Sequence, residues 1–496
     1  MATFTPSKYQ KTLYTYIQKG KGNAVVEAVA GGGKTSSLVN AIKLIPQDKR
    51  VLFIAFNKSI VEELKIKVGN LENVSVSTIH SLGARACRKA YNCNVDDAKY
   101  KTWFNDGLKS GFIAPTRTLS AEDNEEWCSN IRKLIDLGRV NLTTDATKLT
   151  ELAYKHDLFL LDNEVQLAIT GILWGTSNTD TIDYTDMIYL PVVKNMRVFQ
   201  FDWVFIDECQ DLNAAQRNMF LKYIKPNGRF IAVGDPHQAI YGFAGADVES
   251  FELLKHLPHT AKLPLSVCYR CDKNIIQLAK TEVPQIEARD NADDGVVDYA
   301  AKMADVKDGD MILCRVSAPL VNLCMKYIAS GVKAYVKGRD IGVNLINMIK
   351  KTKKVKIVDV VEVFERELGR IIGKVVAKTH CSEKEARESD AYRAYEDKIN
   401  AIQVLSEGLE KCNDVISRIE TIFSDDSKNG ICLSTVHKSK GLESDRVFII
   451  CPDKFLLKAC MQIPWMAEQE HNLQYVAYTR AKHYLGFITD FQFKKS

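Results

Sequence analysis

No run of about 18 apolar residues occurs in the chain, so the sequence offers no membrane-spanning helix. Residues 1–10 lack the basic-then-apolar order of a secretory leader. Internal repeats, low-complexity tracts and long linkers are also missing. Charge of one sign is scarce: 67 basic and 62 acidic residues leave a net +5, so any nucleic-acid binding needs a local basic groove. The 13 cysteines are scattered, several of them in apolar runs (Cys209, Cys314, Cys432, Cys451). An odd count without a leader points to reduced thiols in a cytoplasmic compartment. Cys268 and Cys271 have zinc-knuckle spacing, but no second pair matches them, and we read them as packing residues. What is present, 46% apolar and 26% charged residues over 496 positions, is ordinary for a soluble globular chain. That length suggests about two to four domains.

Residues 23–30 (NAVVEAVA) read as a short buried strand, followed by Gly31, Gly32, Gly33, Lys34 and Thr35 and then by a helical run over 36–44. A strand, a glycine turn and a helix start form a phosphate cradle. Glycines let backbone N–H groups close on phosphate oxygens, and the helix N-terminus adds its positive end. In that reading Lys34 reaches the β- and γ-phosphates and the Thr35 hydroxyl ligates Mg²⁺. The first glycine usual in such loops is replaced by Ala28. A glycine turn without a ligand is the alternative, and the Lys-Thr pair at the helix start argues against it.

Residues 203–206 (WVFI) make a second apolar strand, running into Asp207, Glu208, Cys209, Gln210 and Asp211. A carboxylate at a strand end beside a phosphate loop can hold Mg²⁺, which suits Asp207. The adjacent Glu208 can polarise the attacking water as general base. A solvated acidic turn is the alternative; the apolar strand before it argues against that. A third strand, 230–233, ends in Gly234, Asp235, Pro236, His237 and Gln238. Strands that end in polar residues and alternate with helices predict a parallel sheet with its ligand at the carboxyl ends.

The order of these segments resembles the motif set of the UvrD/Rep-type superfamily 1 DNA helicases. Residues 28–35 (AVAGGGKT), 206–211 (IDECQD), 233–246 (VGDPHQAIYGFAGA), 263–270 (LPLSVCYR), 433–448 (LSTVHKSKGLESDRVF) and 473–482 (LQYVAYTRAK) follow the family's order. Residues 55–60 (AFNKSI) and 78–83 (TIHSLG) resemble its two DNA-contact motifs. The wording is most similar to the helicase part of the F-box DNA helicases. Together with Gln10, the similar segments extend to residue 482, nearly the whole chain.

The resemblance implies an α/β protein: two RecA-like P-loop NTPase domains with parallel sheets, each carrying a mainly helical insertion. It implies ATP with Mg²⁺ as cofactors. Gln10 would read adenine, Gln238 would sense the γ-phosphate, Tyr269 would stack on adenine and Glu443 would hold the ribose. Arg270 and Arg480 would act as arginine fingers from the second motor domain, a contact worth about 10³ to 10⁵ in rate in other NTPases. Isolated arginines are more often surface salt bridges; the surrounding motifs reverse that. Phe56, His80, Tyr241, Phe243 and His437 would lie near the nucleic-acid strand. Base–aromatic stacking is worth roughly 1–3 kcal/mol per base and tolerates any sequence, as a motor passing every base requires. Phe56 and Phe243 are also compatible with core packing. One departure stands out. The family usually places an arginine after the aromatic of the third motif, and often a basic residue before it; here these are Ala244 and Gly242. Either another basic residue covers the link or the coupling of hydrolysis to stepping differs.

The expected division places the first motor domain at 1–88 and 181–262 around an insertion at 89–180. The second is placed at 263–345 and 425–496 around an insertion at 346–424. Residues 127–137 carry a helical pattern, and residues 183–187 (DYTDM) resemble a short family motif at the return to the sheet. In the second insertion Ile402, Leu405, Leu409, Cys412, Ile416, Ile419 and Phe423 alternate steps of three and four, and Val360, Phe364, Leu368, Ile371 and Val375 form another stripe. Two long amphipathic helices packed on each other are expected. Lys350, Lys351, Lys353, Lys354 and Lys356 would touch phosphate or form a solvated face.

The expected activity is ATP-driven movement on single-stranded DNA with unwinding of tailed duplex, 3′ to 5′, in replication, repair or recombination. The expected form is a soluble monomer, cytoplasmic or nucleoid-associated, with no membrane and with replication or recombination proteins as partners. A translocase that clears DNA-bound proteins with little unwinding would carry identical motifs. An unrelated P-loop kinase or transporter ATPase does not account for the aromatic third motif or for residues 435–443 (TVHKSKGLE).

Overall fold

The structure, a computed structural model, describes residues 5–55, 58–69, 71–115, 121–156, 158, 160–240, 250–379, 381–423, 430–455 and 464–491. It divides into two compact units, Met1–Ser266 and Val267–Ser496.

The first unit is built on β1 (Asn23–Ala28), β2 (Val51–Ala55), β3 (Val74–Thr78), β6 (Phe201–Ile206), β7 (Ile224–Gly234) and β8 (Thr260–Leu265). They form one parallel sheet in the order β3-β2-β6-β7-β1-β8. Both faces are covered, as an all-parallel sheet requires. Alternate residues feed opposite cores: Phe53 and Phe205 join Leu13, Leu38 and Val233 on one side, while Ile54 and Val204 join Val25, Phe220 and Phe230 on the other. Because β8 pairs with β1 as far as Leu265, the unit ends after Ser266 rather than after residue 262, where motif spacing placed the boundary.

Between β3 and β6 lies a helical insertion with its own core of Phe104, Trp127, Ile131, Leu134 and Ile172. Its helices are Lys99–Ser110, Ala121–Val140, Ala146–Lys155 and Asp162–Ser177. A short parallel pair, β4 (Asn94–Val95) and β5 (Thr181–Ile182), joins its two ends. Buried charge ties it down. Arg139 donates to Asp183 Oδ1 at 2.7 Å and Asp186 Oδ1 at 2.8 Å, Lys99 meets Asp186 Oδ2 at 2.6 Å, and the guanidinium lies 3.8 Å from the Tyr100 ring centre. Burial of these charges is tolerated because each is paired.

The second unit opens with the short pair β9 (Val267–Cys268) and β10 (Glu287–Ala288). Its sheet contains β11 (Val296–Asp298), β12 (Met311–Cys314), β13 (Ala334–Lys337), β14 (Ile431–Thr435), β15 (Ser444–Ile450) and β16 (Ala481–Ile488). All neighbours are parallel, in the order β11-β16-β15-β12-β14-β13. Ile312, Leu433 and Phe448 of this sheet share one core with Ile402, Leu405 and Ile419 of the inserted helices, so this insertion is part of the unit's helical layer.

The helix Ile357–Thr379 runs unbroken and carries Val360 and Phe364 into that core. The other expected long helix is two. Asp390–Ser406 stops, Gly408 turns with φ 73°, and Cys412–Ile422 begins anew. The three-and-four spacing survives the break because both pieces face the same core. At the break Cys412 N donates to Val355 O at 2.9 Å and Ile357 N to Glu410 O at 2.9 Å.

Candidate nucleotide site and nucleic-acid face

The phosphate loop leaves the carboxyl end of β1. Gly31 and Gly33 have φ of 64° and 70°, where a side chain is strained. Gly32 is needed for space: a Cβ there would lie 2.9 Å from Val29 O and 3.1 Å from Leu265 O. The helix Lys34–Ile42 starts directly after the glycines, so its free N–H groups face the loop. Gln10 is buried beside it; its carboxamide accepts from Ser7 N and donates to Ser37 Oγ, both at 2.9 Å.

The strands β7, beside β1, and β6, beyond it, supply the acids. Lys34 Nζ meets Glu208 Oε2 at 2.7 Å, and Thr35 Oγ1 donates to Asp207 Oδ2 at 2.6 Å. Glu208 follows the strand in a left-handed conformation, φ 54°. Gln210 Nε2 donates to Glu208 Oε2 at 2.7 Å while its Oε1 accepts from Asp235 N at 3.0 Å. Gln238 Nε2 donates to Asp235 Oδ2 at 2.8 Å. Thus Lys34, Thr35, Asp207, Glu208 and Gln238 lie close together. Gln210, given no role from sequence, proves to bridge the acidic and third motifs; only its place two residues after Glu208 hinted at this.

Burial works against the Lys34 charge, but Glu208, Asp235 and Asp207 outweigh it and hold the pKa above its ordinary value. Asp207 is pushed up to about 6 by burial and by the Glu208 charge, with Lys34 and Thr35 offsetting only part. Burial raises Asp235 as well, against the pull of Lys34. Among the described residues no group of three or more His, Cys, Asp or Glu is placed to hold a metal. The Asp207 carboxylate and Thr35 hydroxyl offer two hard oxygens. That donor set fits Mg²⁺, which usually takes one or two protein oxygens alongside phosphate and water.

In the second unit Tyr269 and Arg270 follow β9. Arg270 Nε meets Glu443 Oε2 at 2.7 Å, and its NH1 donates to Thr479 O at 3.0 Å. Arg289 NH1 donates to Tyr269 O at 2.8 Å. Arg480 is 1% exposed; its Nε donates to Val476 O at 2.9 Å and its NH1 to Leu442 O at 3.0 Å. Burial opposes ionisation of Glu443, but Arg270 and Lys482 hold it below the usual carboxylate range. Tyr269, Arg270, Glu443 and Arg480 therefore gather where β15 and β16 begin. Cys268 and Cys271 are fully buried, and Cys271 N donates to Cys268 Sγ at 3.4 Å.

His437 follows β14, at the opposite, carboxyl edge of the same sheet. Burial, with Arg315 and Lys438 adding, pushes its pKa down to about 3. His80 stands at the start of the helix Ile79–Tyr91 after β3, and burial lowers it too. Its ring lies edge-on to Tyr184, centres 6.2 Å apart. Tyr184 is 55% exposed although Asp183 and Asp186 on either side are buried. The 183–187 segment carries no nucleic-acid role from its motif alone, and an aromatic between two anchoring carboxylates is the available signal. Phe56, Tyr241, Gly242, Phe243 and Ala244 lie outside the described residues.

The chain matches the family model for the UvrD/REP helicase N-terminal domain over residues 10–259, and that for the UvrD-like helicase C-terminal domain over 332–491. F-box DNA helicase protein 1 of Schizosaccharomyces pombe is 26% identical over 276 residues, 51% of this chain and 30% of that protein. ATP-dependent DNA helicase PcrA of Staphylococcus epidermidis is 25% identical over 292 residues, 53% of this chain and 38% of the relative. ATP-dependent DNA helicase Rep of Buchnera aphidicola is 23% identical over 295 residues, 55% and 42% respectively. The chain thus spans less than half the length of these relatives.

Proposed function

Because the chain belongs to the UvrD/REP helicase family, we propose that it is an ATP-dependent DNA helicase that moves 3′ to 5′ on single-stranded DNA and unwinds tailed duplex in replication, repair or recombination. The observation that carries this reading is the paired arrangement Lys34–Glu208 and Thr35–Asp207, made across β7 between the carboxyl ends of β1 and β6.

A nucleotide phosphate competes with Glu208 for Lys34. Released, Glu208 is still held by Gln210 and takes a proton from the attacking water. Asp207 and Thr35 hold Mg²⁺, which when bound neutralises phosphate charge. Gln10 and Tyr269 take the adenine, Glu443 the ribose and Gln238 the γ-phosphate end. Arg270 and Arg480 stabilise charge in the transition state. His80, Tyr184 and His437 meet bases, together with Phe56, Tyr241 and Phe243. The two histidines have lowered pKa values, so they suit bases better than phosphates.

The test is ATP hydrolysis with and without single strands, and strand displacement from duplexes with a 3′ or a 5′ tail. Hydrolysis indifferent to single strands overturns the motor; displacement from the 5′ tail alone overturns the polarity. A second reading with the same motifs is a translocase that clears bound proteins with little unwinding. Vigorous strand displacement excludes it.

A further inference from the structure

We propose that the lysine-rich turn at residues 350–356, with Lys411 beside it, binds the phosphate backbone of duplex nucleic acid; the proposal rests on the reading of this chain as a DNA motor. The turn joins the helix Arg339–Lys351 to the helix Ile357–Thr379. Lys350, Lys351, Lys353, Lys354 and Lys356 are all exposed, and no acid interrupts them.

Two of these lysines have an ordinary explanation. Lys350 and Lys351 end a helix, where cations complement its dipole. The others do not. Lys356 is bridged in antiparallel fashion to Lys411, which places two like charges directly opposite each other, an arrangement that destabilises a strand pair. Lys353 holds a left-handed backbone with φ 55°, where a non-glycine residue is strained. Among the described residues, none of the side chains of Lys353, Lys354, Lys356 and Lys411 forms an ion pair. The repulsion gathered at this exposed turn is relieved by a polyanion.

The chemistry also selects the kind of polyanion. Single-strand binders interleave cations with aromatic rings on which bases stack. Residues 350–358 (KKTKKVKIV) contain no aromatic, and the exposed apolar groups are the small Val355 and Val358. Cations without a stacking platform suit backbone contact, which positions a duplex without reading it.

The quadruple variant Lys353→Ala, Lys354→Ala, Lys356→Ala, Lys411→Ala tests this in the full chain. Binding to a blunt duplex is measured across a salt series, beside single-strand-stimulated hydrolysis and thermal unfolding. Each lost phosphate contact lowers the salt slope by about one, so the slope falls by roughly three to four and duplex affinity falls roughly tenfold or more at low salt. Hydrolysis on single strands is unchanged, and the melting temperature is unchanged or higher because repulsion is relieved. Unchanged duplex affinity and slope overturn the proposal, as does a loss confined to phosphatidylserine vesicles or to a polyglutamate peptide. Failure of single strands to stimulate the unaltered protein would instead count against the motor reading, so the two failures are distinguishable.

Discussion

At the carboxyl edge of the first sheet, side chains hold one another: Lys34 holds Glu208, Thr35 holds Asp207, and Gln210 holds Glu208. At the amino edge of the second sheet, the main chain does much of the holding. Arg480 is gripped by the carbonyls of Val476 and Leu442, and Arg270 rests partly on the carbonyl of Thr479. The difference separates two tasks. Pairs made between side chains can be exchanged for a ligand at little cost to the fold. A guanidinium held by carbonyls keeps its place whatever its charged neighbours do. The first region can change partners, and the second holds its cations in place.

The largest effect expected from breaking this contrast is on the exchangeable side. Lys34→Ala and Glu208→Gln bring hydrolysis to background in phosphate-release assays, while DNA binding stays measurable by fluorescence anisotropy. Retained hydrolysis in either variant refutes their assignment.

On the fixed side, Arg270→Ala and Arg480→Ala lower the turnover rate by about 10³- to 10⁵-fold. Only the Arg480 change also lowers the melting temperature appreciably, because buried carbonyls left unsatisfied cost about 1–3 kcal/mol. Equal losses of stability in both variants would erase the proposed distinction.

The Arg139 cluster sharpens the comparison from outside, since it pairs buried side chains with no exchange. Arg139→Met strips Asp183 of its cation, while Asp186 keeps Lys99, and costs about 3–5 kcal/mol in denaturant unfolding. A loss under about 1 kcal/mol would mean that the pairing was never needed.

The smallest effect is on pH. Asp207 titrates near 6 in the fold against an ordinary value of 3.8, so the folded chain binds its proton more tightly. Its contribution to stability is therefore greatest in acid and is lost as the pH rises from about 4 through about 6. Metal binding runs the other way, because the ligand must be ionised. Below about pH 6 the Mg²⁺ concentration for half-maximal hydrolysis rises roughly tenfold per pH unit, and Asp207→Asn abolishes that trend.

The exchangeable site was the more legible in sequence. A phosphate loop and an acidic strand end are local patterns, and each candidate catalytic group stands within a few residues of the apolar strand that positions it. The alternation of strands and helices likewise carries the parallel sheets. What was hidden depends on contacts far apart in the chain. Gln210 is seen to matter only when β7 brings Asp235 against it. Tyr184 is seen only when His80 meets it across more than a hundred residues. The break after Ser406 escaped the periodicity because two helices facing one core preserve the same spacing as a single helix. The boundary at Ser266 escaped because the 263–270 motif straddles it: Leu263 and Leu265 complete one sheet while Tyr269 and Arg270 begin the other unit.

Glu208 carries a consequence for how such chains diverge. A non-glycine residue in the left-handed region costs on the order of 1–2 kcal/mol, and at φ 54° this one bears that cost for as long as its carboxylate is useful. On the role proposed for Glu208, a lineage that abandoned hydrolysis would be released from it. Glycine or asparagine at position 208 would then be favoured by drift toward stability, and a descendant with either residue there could be recognised as inactive without an assay.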